Sequence, residues 1–372
     1  MLDIIAQIKA AIHASVLAQW GVLERAATMS VDLLTGPLTG QNTRYYWVYM
    51  VQALLVVAAV YLIQRKPGDK PHLRGFLRFC FPPGTYSHPS TRVDWQVNIA
   101  NFFFGHLFKV AWRLNTAFLT TGVVAGVVWA FGPAPHLLHW SAWSVVGFTL
   151  LVAVADDFGY YAFHIASHRI PFLWAFHKVH HTAEMLTPLV AGRVHPIEMA
   201  LSEPTRSAAV ALVAGPAAYL FAGDASFATL FGINVVALLF AGAGDQLFHS
   251  HVWLSWGPMF DRIFVSPAVH QIHHSSAPRH WHRNLGGLLS VWDWMFGTLY
   301  VPDRSETFSF GLAEGQPQIH SSLLRVYALP FWEAIPFRAT VLATGLAWLH
   351  RRREAAAPVP PVATDDRLMA GD

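Results

Sequence analysis

Along much of this chain apolar positions run together instead of alternating with polar ones. Residues 45–64, YYWVYMVQALLVVAAVYLIQ, form one such run. A helix of roughly 20 apolar residues crosses the ~30 Å hydrocarbon core of a bilayer. Residues 114–155 hold no Asp, Glu, Lys or Arg, and GPAPHLLHW at 132–140 divides them. That pattern predicts spans over 114–131 and 142–163. Residues 207–223 and 225–244 predict a further pair, joined near Gly223 and Asp224, either as two spans or as a shallower hairpin. Residues 1–30 read as an amphipathic helix, and 75–113 as aromatic-rich interfacial helices. Residues 326–350 are apolar but carry Pro330, Glu333, Pro336 and Arg338, which predicts an interfacial or re-entrant element. The fold class expected is all-α, a multi-pass membrane helical protein. Its divisions are an interfacial segment over 1–44, transmembrane and interfacial helices over 45–149, and a histidine-rich unit over 150–300. A C-terminal interfacial segment over 301–350 and a disordered tail over 351–372 follow.

Composition strengthens the membrane reading. The chain of 372 residues is 54% hydrophobic and 13% charged, with a mean hydropathy of +0.36. Soluble domains carry about 25% charged residues. Arg65, Lys66, Lys70, Arg74 and Arg78 follow the first run, while the turns at 132–141 and 223–225 lack Lys and Arg. The positive-inside rule then places 65–113 in the cytoplasm, and counting crossings places 164–206 and 245–325 there too. Asp3, Gln7 and Lys9 interrupt any apolar core of a signal peptide. Arginine outnumbers lysine 20 to 5, which with the abundant alanine points to a GC-rich bacterial genome; taken with the apolar runs, the expected location is a bacterial inner membrane. A net charge of +3 without a basic run gives no expectation of a nucleic-acid partner. The single cysteine, Cys80, excludes an internal disulfide and thiolate-held zinc or iron–sulfur clusters.

Candidate chemistry lies in the histidines. Of 21, 13 fall between 164 and 282. His164 and His168 are spaced i, i+4. His177, His180 and His181 are spaced i, i+3, i+4, and His270, His273 and His274 repeat that spacing. On a helix each cluster aims its nitrogens in one direction. Packed imidazoles at a membrane interface are poorly satisfied without a shared cation, and neutral imidazole is a good ligand for transition metals. Eight clustered histidines, with His249 and His195 nearby, exceed the capacity of one ion, so two ions are expected. Ligand type alone does not separate iron from zinc.

DFGYYAFHIASH (157–168), HKVHH (177–181) and HQIHH (270–274) closely resemble the histidine boxes of the fatty acid hydroxylase/sterol desaturase superfamily of membrane di-iron oxygenases. RVHPIE (193–198) and NLGGLLSVWDWMFGT (284–298) add to the resemblance, which covers about 150–298. It implies a helical membrane fold with a cytoplasmic di-iron cap, and O2-dependent hydroxylation or desaturation of a lipid such as a fatty acyl, sterol, ether lipid or carotenoid. The implied catalytic ligands are His164, His168, His177, His180, His181, His270, His273 and His274, with His249 and His195 as further metal ligands. His251 is the alternative to His249. His282 stands where the family pattern has Asp. Asp157, Glu198, Asp245 and Asp293 are the expected partners of the ligands, and Glu184 is a further candidate. Asn284, Gly286 and Gly287 read as turn formers. No haem domain or dinucleotide fingerprint is visible, so a separate ferredoxin or cytochrome-type donor with its reductase is implied. The basic stretch 65–78 marks topology or docks that carrier. Rival readings are a dizinc membrane hydrolase, a metal or haem transporter, and a catalytically silent lipid- or metal-binding relative.

Overall fold

The computed structural model describes residues 47–65, 70–223, 227–230, 233–242, 244–302, 306–312 and 321–335. The amphipathic helix expected at 1–30, the stretch 336–350 and the tail lie outside the described residues.

Helices dominate the described residues. In chain order they are α1 (Trp47–Gln64), α2 (Leu73–Cys80), α3 (Pro89–Phe131), α4 (Ala142–Arg169), α5 (Pro171–His181), α6 (Pro196–Leu220), α7 (Val235–Gly242), α8 (Pro267–His273), α9 (Val291–Phe296) and α10 (Leu323–Ala334). Two-residue strands β1 (Leu138–His139) and β2 (Phe221–Ala222) pair in parallel, and β3 (Thr229–Leu230) pairs with β4 (Ile233–Asn234) antiparallel. α1 and α4 are long and apolar enough to cross a membrane, and Asn115–Phe131 is a shorter apolar stretch.

Two expected boundaries are corrected. The break between interfacial helices and a span at 114 is absent, because α3 runs unbroken for 43 residues. Lys109 and Arg113 change its polarity but do not end it; no proline occurs between 90 and 131. The helix stops where Gly132 turns at φ +91°. Where a continuous span is expected over 225–244, the described residues instead form the antiparallel β3–β4 pair followed by the eight-residue α7. Asn234 interrupts the apolar run: its Oδ1 accepts from Val236 N at 2.9 Å and so starts a new helix.

Prolines at the first turn and polar caps set the helix starts around the histidines. Pro171, Pro196 and Pro267 open α5, α6 and α8. Ser266 caps α8 by accepting from Val269 N. α6 packs along both α3 and α4. Gly159 permits the close approach to α4: a Cβ there would sit 2.7 Å from Arg206 Cα. Beside it, Arg206 grips Asp156 through Nε and Nη2, at 2.9 and 2.5 Å. Asn101 of α3 donates to the Gly192 and Val194 carbonyls at 2.9 and 2.7 Å. That fixes the chain entering α6 and hence Glu198.

Candidate metal centre

Nine buried histidines form two adjacent groups. His164, His168, His177, His181 and His273 make one; His180, His249, His270 and His274 make the other. Within each group the ligand atoms lie within 4.8 Å of one another. His164 and His168 come from the last turns of α4, and His177, His180 and His181 from the last turn of α5. His270 and His273 stand on α8, with His274 as its C-cap. His249 follows the 3-10 turn at Asp245–Leu247.

The clusters do not each aim one way. In HKVHH the i, i+4 pair His177 and His181 joins the first group, while His180 joins the second. In HQIHH the i, i+4 pair His270 and His274 joins the second group, while His273 joins the first. Adjacent residues on a helix point about 100° apart, so the two histidines of each HH pair straddle the two groups. His181 and His274, in different groups, stack at 4.8 Å between centroids.

Hydrogen bonding fixes the state of the inner nitrogens. A neutral imidazole has one N–H and one bare nitrogen. His164 Nδ1 donates to the Leu285 carbonyl at 2.7 Å, His177 Nδ1 to Glu198 Oε1 at 2.6 Å, and His273 Nδ1 to the Arg283 carbonyl at 2.9 Å. Their Nε2 atoms are therefore lone pairs turned inward, and His273 Nε2 has no hydrogen-bond partner. His177 Nε2 lies 3.0 Å from His164 Nε2, 3.1 Å from His168 Nε2 and 3.2 Å from His181 Nε2. One proton on His177 would satisfy one of these three neighbours. A cation at the centre satisfies all of them.

The second group repeats the arrangement. His249 Nε2 lies 3.1 Å from His180 Nε2 and 3.0 Å from His270 Nε2, and His274 Nε2 lies 3.2 Å from His270 Nε2. For metal–nitrogen bonds of about 2.1 Å, ligands at right angles are about 3.0 Å apart and tetrahedral ones about 3.4 Å. Both donor sets thus fit a metal ion. Burial, reinforced by neighbouring imidazoles, lowers the pKa of His181, His273 and His274 well below the ordinary value, and that of His180 to about 4. Neutral, ligand-ready imidazole is the form present near neutral pH.

Residues 149–298 match a family model described as fatty acid hydroxylase. This segment belongs to the fatty acid hydroxylase superfamily. All nine grouped histidines fall within it. Ornithine lipid hydroxylase OlsE of Rhizobium tropici is 27% identical over 198 residues, covering 53% of this chain and 54% of that protein. Alkylglycerol monooxygenase of Danio rerio is 29% identical over 219 residues, covering 57% and 44%. Fatty acid hydroxylase vlmA of Lecanicillium sp is 28% identical over 222 residues, covering 55% and 57%. The chain spans about half the length of these relatives or less. No solved structure matches.

The remaining expected site residues of the matched segment divide by position. His195 lies in neither group. Its Nδ1 accepts from Ile197 N at 3.0 Å and its Nε2 meets the Tyr327 carbonyl at 3.2 Å, so it caps α6. His249, not His251, enters the second group; His251 bonds the Phe79 carbonyl. His282 adopts φ +57° and is exposed, its ring 5.7 Å from that of His168, outside both groups. Glu184 faces His88 at 4.0 Å rather than the centre.

Among the acids, Glu198 bonds a grouped imidazole directly. Burial by itself would raise its pKa, but its close contact with His177 prevails and holds it below the usual range. Asp157 and Asp293 work one layer out, a correction to their expected direct contact. Asp157 accepts from Leu288 N, Leu289 N and Trp292 Nε1 at 2.6, 3.0 and 2.8 Å. Asp293 accepts from Leu285 N and Gly286 N at 2.7 and 2.8 Å. Together they hold the loop whose Leu285 carbonyl orients His164. Asp245 opens the turn that delivers His249. Sequence reading missed Arg193, whose place inside RVHPIE was its one signal. It also missed the carbonyls of Arg283 and Leu285, which carry no residue-type signal at all.

Losing the carboxylate that orients a metal-bound imidazole typically lowers metal affinity 10–100-fold. Glu198→Ala is expected to do so, measured by competition with a chelating dye, and Glu198→Gln, which keeps an acceptor oxygen, less.

Proposed function

We propose that this chain is a membrane-bound, O2-dependent oxidoreductase that hydroxylates, or by a related reaction desaturates, a lipid. Its two histidine groups hold two iron ions. The observation that carries this reading is the pair of adjacent donor sets whose inward Nε2 atoms lie 3.0–3.2 Å apart. Those edges correspond to near right angles about the ion. A five-nitrogen set with such angles favours iron over tetrahedral zinc, and so speaks for the oxygenase over the dizinc hydrolase. The names of the relatives, an ornithine lipid hydroxylase, an alkylglycerol monooxygenase and a fatty acid hydroxylase, support a lipid substrate.

Iron bound there supplies one-electron and O2 chemistry. The chain supplies the rest. Three Nδ1–H bonds orient the rings of His164, His177 and His273, and Glu198 keeps the proton on His177 Nδ1. Helices α1 and α4 cross the bilayer, with the histidine groups on the cytoplasmic side. Buried apolar residues such as Phe176 and Phe248 keep water from the centre. Electrons arrive from a separate ferredoxin or cytochrome-type carrier and its reductase.

The test is isotopic. The full chain in lipid vesicles, supplied with ferredoxin, reductase and a mixture of bacterial lipids, is run under 18O2. A lipid alcohol carrying 18O from O2 is expected. Oxygen drawn only from labelled water, in a reaction indifferent to O2, would favour the hydrolase.

A further inference from the structure

We propose that one edge of the histidine unit, formed by residues 259–264 and 291–296, dips into the lipid bilayer and binds phospholipid there. The proposal rests on the reading above that α4 crosses the membrane.

The two segments are stitched together. Val265 N donates to the Leu288 carbonyl and Ser290 N to the Ile263 carbonyl, each at 3.0 Å, and Phe264 faces Leu289 in an antiparallel bridge. Between them they expose Met259, Phe260, Phe264, Trp294, Met295 and Phe296; Trp294 is 69% exposed. Their carboxylates turn the other way. Asp261 is fully buried, accepting from Ser255 Oγ and Trp256 N, and Asp293 is fully buried in the 285–286 loop. Arg262 is the exposed charge of the two segments. A surface built for water has its charges outward, and a contiguous apolar one marks a binding face.

Depth along α4 identifies the partner. Trp143, Val146, Leu150, Val154 and Phe158 recur every three or four residues and are all exposed, which makes one stripe along the helix. Phe158 stands 16 residues (158 − 142) beyond Ala142, so about 24 Å along the axis and inside a ~30 Å core. Trp292 packs edge-on against Phe158 at 5.1 Å, and Phe296 stacks on Tyr161 at 5.5 Å. Side chains packed on those turns share their depth. The exposed edge therefore continues the stripe of α4 into the membrane boundary, where Trp is favoured. Arg262 sits among these apolar residues; its Nη1 donates to the Pro258 carbonyl at 2.6 Å, and the side chain is exposed, which leaves its remaining N–H groups available to phosphates.

The test uses the full chain with Cys80→Ser, spin-labelled at Met295→Cys, in vesicles of phosphatidylcholine and phosphatidylglycerol. Leu150→Cys, on the α4 stripe, is the reference. At Met295 collisions with O2 are expected to outnumber those with an aqueous nickel chelate, as at Leu150. Nickel access at Met295 with Leu150 in lipid would overturn the proposal and leave the membrane span standing. Nickel access at both sites would overturn both. Lipid-like behaviour at Met295 with nickel access at Leu150 would keep the inserted edge and remove the span. Exclusion of both reagents with spin–spin broadening would mean that a second copy covers the edge, again overturning the proposal. Should Met295→Cys fail to assemble, Phe260→Cys reads the same edge.

Discussion

Replacing His181 by alanine is expected to strip metal from the five-histidine group first, and replacing His180 to strip it from the four-histidine group first. The two residues are neighbours in HKVHH, yet they belong to different donor sets. Each variant leaves the other group's imidazoles in place: His180, His249, His270 and His274 in His181→Ala, and the five of the first group in His180→Ala. O2-dependent turnover falls to background in both, because a reaction that uses a metal pair needs both ions. The pairing is read by spectroscopy. Each single variant gives the signal of an isolated metal ion, and the double variant gives none. Membrane insertion is unchanged, since neither residue lies on α1 or the apolar part of α4. His273→Ala and His274→Ala repeat the experiment from the other block, with the first group affected by His273 and the second by His274. Identical metal loss from both groups in every single variant would contradict the interleaved assignment.

The second large effect concerns Arg193, which is 1% exposed. Its Nη1 donates to Asp94 Oδ1 at 2.7 Å, its Nε to the Val179 carbonyl at 3.0 Å and its Nη2 to Thr182 Oγ1 at 2.8 Å. It thus ties the start of α3 to the two ends of the tetrapeptide that carries His180 and His181. Burial already pushes the Asp94 carboxyl up, against the lowering pull of Arg193. Removing one member of a buried ion pair costs about 3–5 kcal/mol, because the other charge is left uncompensated. Arg193→Ala is therefore expected to destabilise the protein by that order, seen as a lower denaturation midpoint in detergent. In Asp94→Asn/Arg193→Met the uncompensated charge is gone, and part of the loss returns. A double-mutant cycle showing no coupling between the two positions would refute the account.

Much of the centre was legible because metal ligation constrains residue type and spacing together. Three histidine clusters at helical intervals point to a shared donor site for a cation without any fold. Their partition was not legible. Whether His180 and His181 serve one ion or two depends on how α4, α5 and α8 meet, which spacing within one helix does not contain. His195 misled for a related reason: a histidine before Pro196 suits an N-cap as well as a ligand, and only the surroundings of its two nitrogens distinguish them. Apolar runs predicted α1 and α4 well, since their length exceeds any ordinary turn. They failed at 225–244, where one Asn among apolar residues was enough to start a new helix. They also failed at 114, because a change of polarity within α3 does not end the helix. The supports of His164 and His273 are backbone carbonyls, which every residue owns, so the sequence held no mark of them.

The most direct test of the central claim is the metal content of the purified full chain from iron-supplied cells, with Mössbauer spectroscopy and O2 uptake measured on the same sample. The account predicts about two iron ions per chain, magnetically coupled, and O2 consumption on reduction. Zinc that iron cannot replace, or iron that loads without coupling and without O2 uptake under any reductant, would contradict it.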